Sequence, residues 1–172
     1  MSRKDAIARE LPHLRRYARA LVRDPVAADD LVQDCVLRGL EKIAQWQVEE
    51  SPRLWLFTIM HNLFVDQARA HQRRSPAVLP AEHIARSDSE QPRQVDQMIV
   101  NDVVSALQVL PPERREAVVR VGVEGFSYRD AAAVMGVPVG TLMSRLARGR
   151  AQLRTALGES PGGGENIVSM KR

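Results

Sequence analysis

Between Gly125 and Leu157 the chain carries the pattern that most limits its fold: a short capped helix, a glycine, a proline, and a longer helix without an acid. Ser127 stands where a hydroxyl can accept from the free N–H groups of a helix start, and Asp130 three residues on can complete a capping box. Ala131, Ala132 and Ala133 keep that helix slim enough for a neighbour to approach closely. Gly136 suits the left-handed residue that ends a helix, and Pro138 suits the first turn of the next. This succession predicts a helix-turn-helix unit.

Winding the longer helix at about 100° per residue separates its faces. Leu142, Leu146, Gly149 and Leu153 share one side, the predicted packing face. Thr141, Ser144, Ala147, Arg148 and Ala151 lie opposite, with Arg145 on one flank and Arg150 and Arg154 on the other. Small side chains admit the base edges of a major groove, and arginine reaches guanine or phosphate. The bland alternative is a solvated basic face on an ordinary helical bundle. The caps, the turn and the one-sided charge together favour DNA.

Elsewhere no run alternates with the period of a strand, and aromatic residues make up only 4%, so a sheet-based core is not expected. The fold class is all-α. Helical spacing runs from Asp5 to Val22, interrupted at Pro12, and stops at Arg23-Asp-Pro25. A second helix is expected over Val26–Trp46, and a third over Arg53–Arg74 with room for a break in its middle. Residues 75–93 hold three prolines and scattered serines without periodicity, the signature of a flexible linker. Helices are expected again at Val95–Leu110, Glu113–Val123, Ser127–Met135 and Pro138–Leu157. The expected plan is two small helical domains, 1–74 and 94–158, joined by the linker at 75–93. A frayed tail follows at 159–172, including Gly162 to Gly164.

The net charge of +4 is too mild to name a partner, but its distribution is uneven. Acids dominate from Asp24 to Glu50, whereas Arg69–Arg74 and Arg145–Arg154 contain none. Segregated charge points to separate partners for separate surfaces. Cys35 is the lone cysteine, so neither an internal disulfide nor a cysteine zinc site is available. The N-terminus lacks the apolar core of a signal peptide, and no apolar run approaches the roughly 18 residues a bilayer requires. A cytoplasmic protein without membrane insertion is expected.

On the second helix, Leu31, Val32, Cys35, Gly39, Ile43 and Trp46 wind inward, and Asp30, Gln33, Asp34, Leu37 and Glu41 wind outward. A leucine within an acidic stripe fits a protein-docking surface, and it equally fits a solvated face. On the third helix, Trp55, Ile59, Leu63 and Phe64 lie at helical spacing and read as core. Asn62 does not, because a buried amide needs partners. An exposed amide there is suited to reading a base edge, and the basic residues that follow the aromatics are suited to single-stranded nucleic acid.

Three segments, in order, carry a resemblance. They are Ala28-Asp-Asp-Leu-Val-Gln-Asp34, then Trp55-Leu-Phe-Thr-Ile-Met-His-Asn62, then Leu110-Pro-Pro-Glu-Arg-Arg-Glu116 with Gly125-Phe-Ser-Tyr128 and Pro138-Val-Gly-Thr-Leu-Met-Ser-Arg145. Together they resemble the extracytoplasmic-function group of bacterial sigma factors, over roughly Leu11 to Leu157. The resemblance implies a promoter-recognition subunit of RNA polymerase. Asp30, Gln33 and Asp34, with Leu37 and Glu41 beside them, would dock on the clamp helices of the polymerase largest subunit. Asn62 would lie near the loop that captures a flipped base of the −10 element, with Arg69, Arg73 and Arg74 on the opened strand. Thr141, Ser144, Arg145 and Arg148 would enter the −35 major groove. An anti-sigma factor is implied as a partner. Met143 and Ala147 depart from the basic or bulky groups that family members can carry at these positions, which leaves the preferred −35 sequence open.

Other classes stay in competition. A stand-alone regulator with a C-terminal reading head leaves the Asp30–Asp34 face and Asn62 unexplained. A sigma mimic that sequesters an anti-sigma factor needs the docking face but not the reading head. An enzyme is not expected: His13, His61, His71 and His83 lack metal-ligand spacing, and no Gly-rich phosphate loop or nucleophile elbow occurs. No cofactor or metal is expected.

Overall fold

The computed structural model of the chain describes residues 2–47, 50–74 and 95–158, except the side chains of 71, 72, 74 and 95–100. Among these residues every regular element is helical. They are α1 (Arg3–Leu21), α2 (Pro25–Glu41), α3 (Pro52–Arg74), α4 (Val95–Gln108), α5 (Pro112–Val118) running into a π-helical turn (Val119–Val123), α6 (Tyr128–Met135) and α7 (Val139–Ala156). The expected linker at 75–93 and the tail at 159–172 lie outside the described residues.

The helix ends follow local chemistry. Ser2 caps α1 in a full capping box with Asp5, and Asp24 caps α2 by accepting from the N–H groups of Val26 and Ala27. Contrary to the expectation of an interruption, α1 runs through Pro12. The ring costs the bond that would reach the carbonyl of Ala8, but Ala8 and Pro12 are both exposed, so water can serve that carbonyl. Nor does α3 break: it is one helix of 23 residues. Conversely, α2 ends at Glu41, short of the expected Trp46, and the chain turns over Lys42–Gln45. Trp46 is buried nonetheless, its ring stacked 5.9 Å from that of Trp55.

The core joins both ends of the sequence. Leu14, Tyr17, Leu31, Phe57 and Met60 from the first three helices belong to the same buried cluster as Leu110, Val119, Phe126 and Leu142. Phe57 is the hinge of that union: its ring lies 4.8 Å from Tyr17 and 5.0 Å from Phe126. α1 packs on α2 and α3, while α5 and α6 pack on α7. The halves meet where α3 touches α6 and where α1 touches α4 and the π-helical turn.

Gly149 sets how closely α5 and α7 approach. A Cβ there would sit 2.7 Å from Val118 Cγ2 and 3.2 Å from the Arg114 carbonyl, and the latter is backbone that cannot rotate aside. Gly149→Ala is therefore expected to destabilise the protein by about 1–3 kcal/mol despite alanine's better helix propensity. Thermal unfolding of the purified variant checks this; an unchanged or raised Tm would show that the helices can separate at no cost.

Candidate nucleic-acid and docking interfaces

The helix-turn-helix forms from the predicted residues. Ser127 Oγ accepts from the Asp130 N–H at 3.1 Å, and Gly136 closes α6 in the left-handed region at φ 62°. The second half of the predicted capping box differs: the Ser127 hydroxyl also donates to the Asp130 carboxylate at 2.7 Å. Pro138 is the residue just before α7. Leu142, Leu146 and Gly149 are buried and Leu153 is half-buried, so the packing face lies where winding placed it. Ser144, Ala147, Arg148 and Ala151 are exposed, and Thr141 and Arg145 are half-buried. Ser144 donates to the Thr141 carbonyl at 3.0 Å. Arg145 and Arg148 make no ion pair among the described residues, which leaves two charges facing solvent from one helix. Met143 shares this open face at 50% exposure and adds an apolar contact to it.

On α2 the five outward residues, Asp30, Gln33, Asp34, Leu37 and Glu41, are all exposed. Leu37 is 58% exposed, and Leu40 and Val26, which sequence winding left out, are exposed with it. The face is therefore acidic with three open aliphatic side chains, a mix that suits a basic, partly apolar surface.

On α3, Asn62, Arg69 and Arg73 are exposed; the Arg74 side chain lies outside the described residues. The buried residues are Leu56, Phe57, Met60 and Leu63. Of the expected core residues, Leu63 is fully buried, whereas Trp55, Ile59 and Phe64 are only half-buried. The buried stripe is rotated because α3 packs on two sides, against α1 and α2 and also against α6.

Sequence reading missed a polar cluster at the junction of the halves. Glu116 of α5 is 2% exposed, and its Oε1 accepts from the Tyr17 hydroxyl at 2.9 Å, from His61 Nδ1 at 2.6 Å and from the Arg120 guanidinium. Arg120 is wholly buried and stands over the Tyr17 ring, 5.0 Å from its centre. Nearby, buried Glu124 receives Arg16 at 2.8 and 3.0 Å and His13 at 3.2 Å. The one available signal was the Glu116–Arg120 spacing of four, with only Ala117, Val118 and Val119 between them.

Burial pushes the Glu116 carboxyl upward, but the His61 bond and the Arg120 charge outweigh it and hold the group below its ordinary value. Burial chiefly raises the Tyr17 hydroxyl well above its usual range, so it stays a neutral donor. A depressed carboxyl contributes stability above its unfolded value and loses it as pH falls through the folded one. The Glu116 contribution is thus expected to be whole at neutral pH and to vanish only below the ordinary carboxylate range. Denaturant unfolding at stepped acid pH checks this against Glu116→Gln, which should lack that part of the slope; parallel pH curves would contradict it.

The folded elements define a class: a helical protein with an exposed acidic face on α2 and a helix-turn-helix whose second helix presents arginines that form no ion pair among the described residues. Residues 7–61 match the family model "Sigma2 domain of PhyR", and residues 101–153 match "Sigma-70, region 4". The chain is 40% identical to the ECF RNA polymerase sigma factor EcfG of Rhodopseudomonas palustris over 91% of its own length and 85% of that protein's. It is similar to the sigma factor RpoE of Bartonella quintana, solved with the anti-sigma factor NepR, at TM-score 0.77 and 35% identity over 90% and 96% of the two chains. The anti-anti-sigma factor PhyR from Bartonella quintana shares the fold alone, at TM-score 0.60 and 19% identity over 90% of this chain and 50% of that one. The chain belongs to the extracytoplasmic-function sigma factors of RNA polymerase. No helix among the described residues is long and apolar enough to cross a membrane.

Proposed function

We propose that this chain directs core RNA polymerase to promoters by a series of binding events, without chemistry of its own, in the cytoplasm. The face of Asp30, Gln33, Asp34, Leu37 and Glu41 docks on the clamp helices of the largest subunit. Thr141, Ser144, Arg145 and Arg148 read the −35 element in the major groove. Asn62 captures an unpaired base of the −10 element, with Arg69, Arg73 and Arg74 on the opened strand, so differential binding draws the duplex open. Residues 1–74 and 94–158 act as two modules with 75–93 between them. An anti-sigma factor of the NepR kind is the inhibitory partner this reading implies, supported by the 35% identity to the sigma factor solved with one.

The carrying observation is that three faces required by this scheme are open to solvent on one family fold: the α2 stripe, Asn62 on α3, and the small-and-arginine stripe of α7. Reconstituted transcription with purified core polymerase across a promoter library tests it, since activity and both promoter elements are read at once. Asp34→Lys is expected to lower polymerase association at least tenfold, by placing like charge against the partner, while duplex binding by α7 persists. Tight autonomous duplex binding with no polymerase association in the unmodified chain would instead favour a stand-alone regulator.

The match of residues 7–61 to the PhyR Sigma2 domain favours one second reading, a mimic that sequesters an anti-sigma factor. The intact arginine stripe on α7 argues against it, because a mimic has no use for a DNA-reading face. Run-off transcription separates the two.

A further inference from the structure

The first two turns of α7 carry apolar side chains that the arginine stripe does not use. Val139 is 41% exposed and Met143 is 50% exposed, and a spacing of four puts them on one flank of the helix. Ala147, one turn further on, is exposed on the same flank. Thr141 and Arg145 lie on the opposite flank, with Ser144 and Arg148 between the two. Val137 just before α7 and Leu153 near its end pack against the core, whereas Val139 and Met143 do not.

A single methionine on a protein surface needs no explanation, but its place on this helix gives it one. A helix-turn-helix reads base edges with the N-terminal residues of its second helix. Val139 is the first residue of α7, and Met143 stands one turn in, directly before Ser144. It is turned by about 100° from Ser144 and by about 140° from Arg148, so it borders the same groove when those two face the bases. No acid occurs on α7 to repel the phosphates on either side.

The base edges of the major groove are hydrogen-bonding groups with one apolar exception, the C5 methyl of thymine. A thioether laid over a cytosine amino group would cover a donor without supplying a good acceptor, which costs affinity. Laid over a thymine methyl it covers apolar surface with apolar surface, and the unbranched methionine chain can adjust to reach it. We propose that Met143, with Val139 beside it, is a specificity-determining residue that reads a thymine methyl group in the −35 element. The proposal rests on the promoter reading above and adds a thymine to the bases that Arg145 and Arg148 select.

Promoter competition for holoenzyme, reconstituted from core polymerase and the full chain, tests this. The probes are promoter duplexes recovered from a library randomised in the −35 element. Each thymine of that element, on either strand, is then replaced singly by deoxyuridine, which removes the methyl and keeps every hydrogen-bonding group. Wild-type holoenzyme is expected to lose about fourfold in affinity at one such thymine, the value of one buried methyl. Met143→Leu keeps an apolar contact and should retain that loss. Met143→Gln, of similar length but polar, should bind the thymine and uracil forms alike. Because the side chain is exposed, neither change reaches the core, and the salt slope of binding should stay the same in all three proteins. Absence of a uracil-sensitive thymine in the wild type would overturn the proposal, and so would equal sensitivity in Met143→Gln. A base preference that Met143→Gln alters with no uracil effect would place the sulfur on an amino group instead, which also overturns it. Holoenzyme without any −35 sequence preference would sink the promoter reading itself.

Discussion

Phe57→Ala is expected to lower the stability of the whole chain by about 3–5 kcal/mol, the largest single loss in the apolar core. The ring is fully buried and lies 4.8 Å from Tyr17 on its own side of the junction and 5.0 Å from Phe126 on the other. Removing it forfeits transfer energy, leaves a cavity and breaks two aromatic contacts worth about 0.5–1.5 kcal/mol each beyond their buried area. For a chain of this length the loss corresponds to a fall in Tm of about 6–20 °C. Where the loss is felt is more telling than its size. If the shared cluster makes one cooperative unit, hydrogen exchange should speed up in α5–α7 as well as in α1–α3. Faster exchange confined to α1–α3 would mean that the halves unfold separately and that the junction contributes little.

How much of this was legible beforehand depends on the range of the interaction. The helix-turn-helix rests on contacts between residues a few positions apart, so Ser127, Gly136 and the stripe of Leu142, Leu146 and Gly149 announced it. The outward face of α2 was legible for the same reason, since one-sided burial gives a simple helical period. α3 was read less well. It packs on two sides, so its apolar residues cover more than one stripe, and helical spacing alone points to Trp55 and Ile59 as core ahead of Leu56 and Met60. Pro12 misled because the hydrogen bond a proline removes is a smaller loss where the freed carbonyl can find another donor, although the ring still crowds that carbonyl. On the outer face of α1 it has water.

The junction was the least legible feature. Glu116 and His61 are 55 positions apart, and Arg16 and Glu124 are 108 apart. No local pattern reports such pairings. Taken alone, each of these side chains reads as an ordinary surface charge or an isolated histidine. Yet the residues that hold the halves together lie beside those proposed to read DNA: His61 precedes Asn62 directly, and the backbone N–H of Phe126, just before the Ser127 cap, bonds the Arg120 carbonyl at 3.0 Å. The exposed faces could be inferred residue by residue, whereas the contacts between the halves came only from the fold.

The double variant Arg145→Ala/Arg148→Ala should produce the largest functional loss. A good arginine–guanine pair is worth about 1–3 kcal/mol, so the two together account for about 2–6 kcal/mol, or a loss of −35 affinity from about 30-fold to about 20,000-fold. The residues stand three apart on α7 and are close enough to couple, so the single variants need not sum to the double. Arg148 is exposed, while Arg145 is half-buried and gives up packing along its stem as well as charge. Circular dichroism should therefore accompany the Arg145 change. Binding to a −35 duplex, measured across salt concentrations and across base substitutions, separates the two roles an arginine can play. A phosphate contact lowers affinity for all sequences alike and reduces the salt slope by about one, whereas a base contact relaxes the preference at one position. Association with core polymerase should be untouched, because the α2 face is elsewhere. Unchanged duplex affinity in the double variant would mean that α7 presents a different face to DNA, with Met143 and its neighbours the next residues to test.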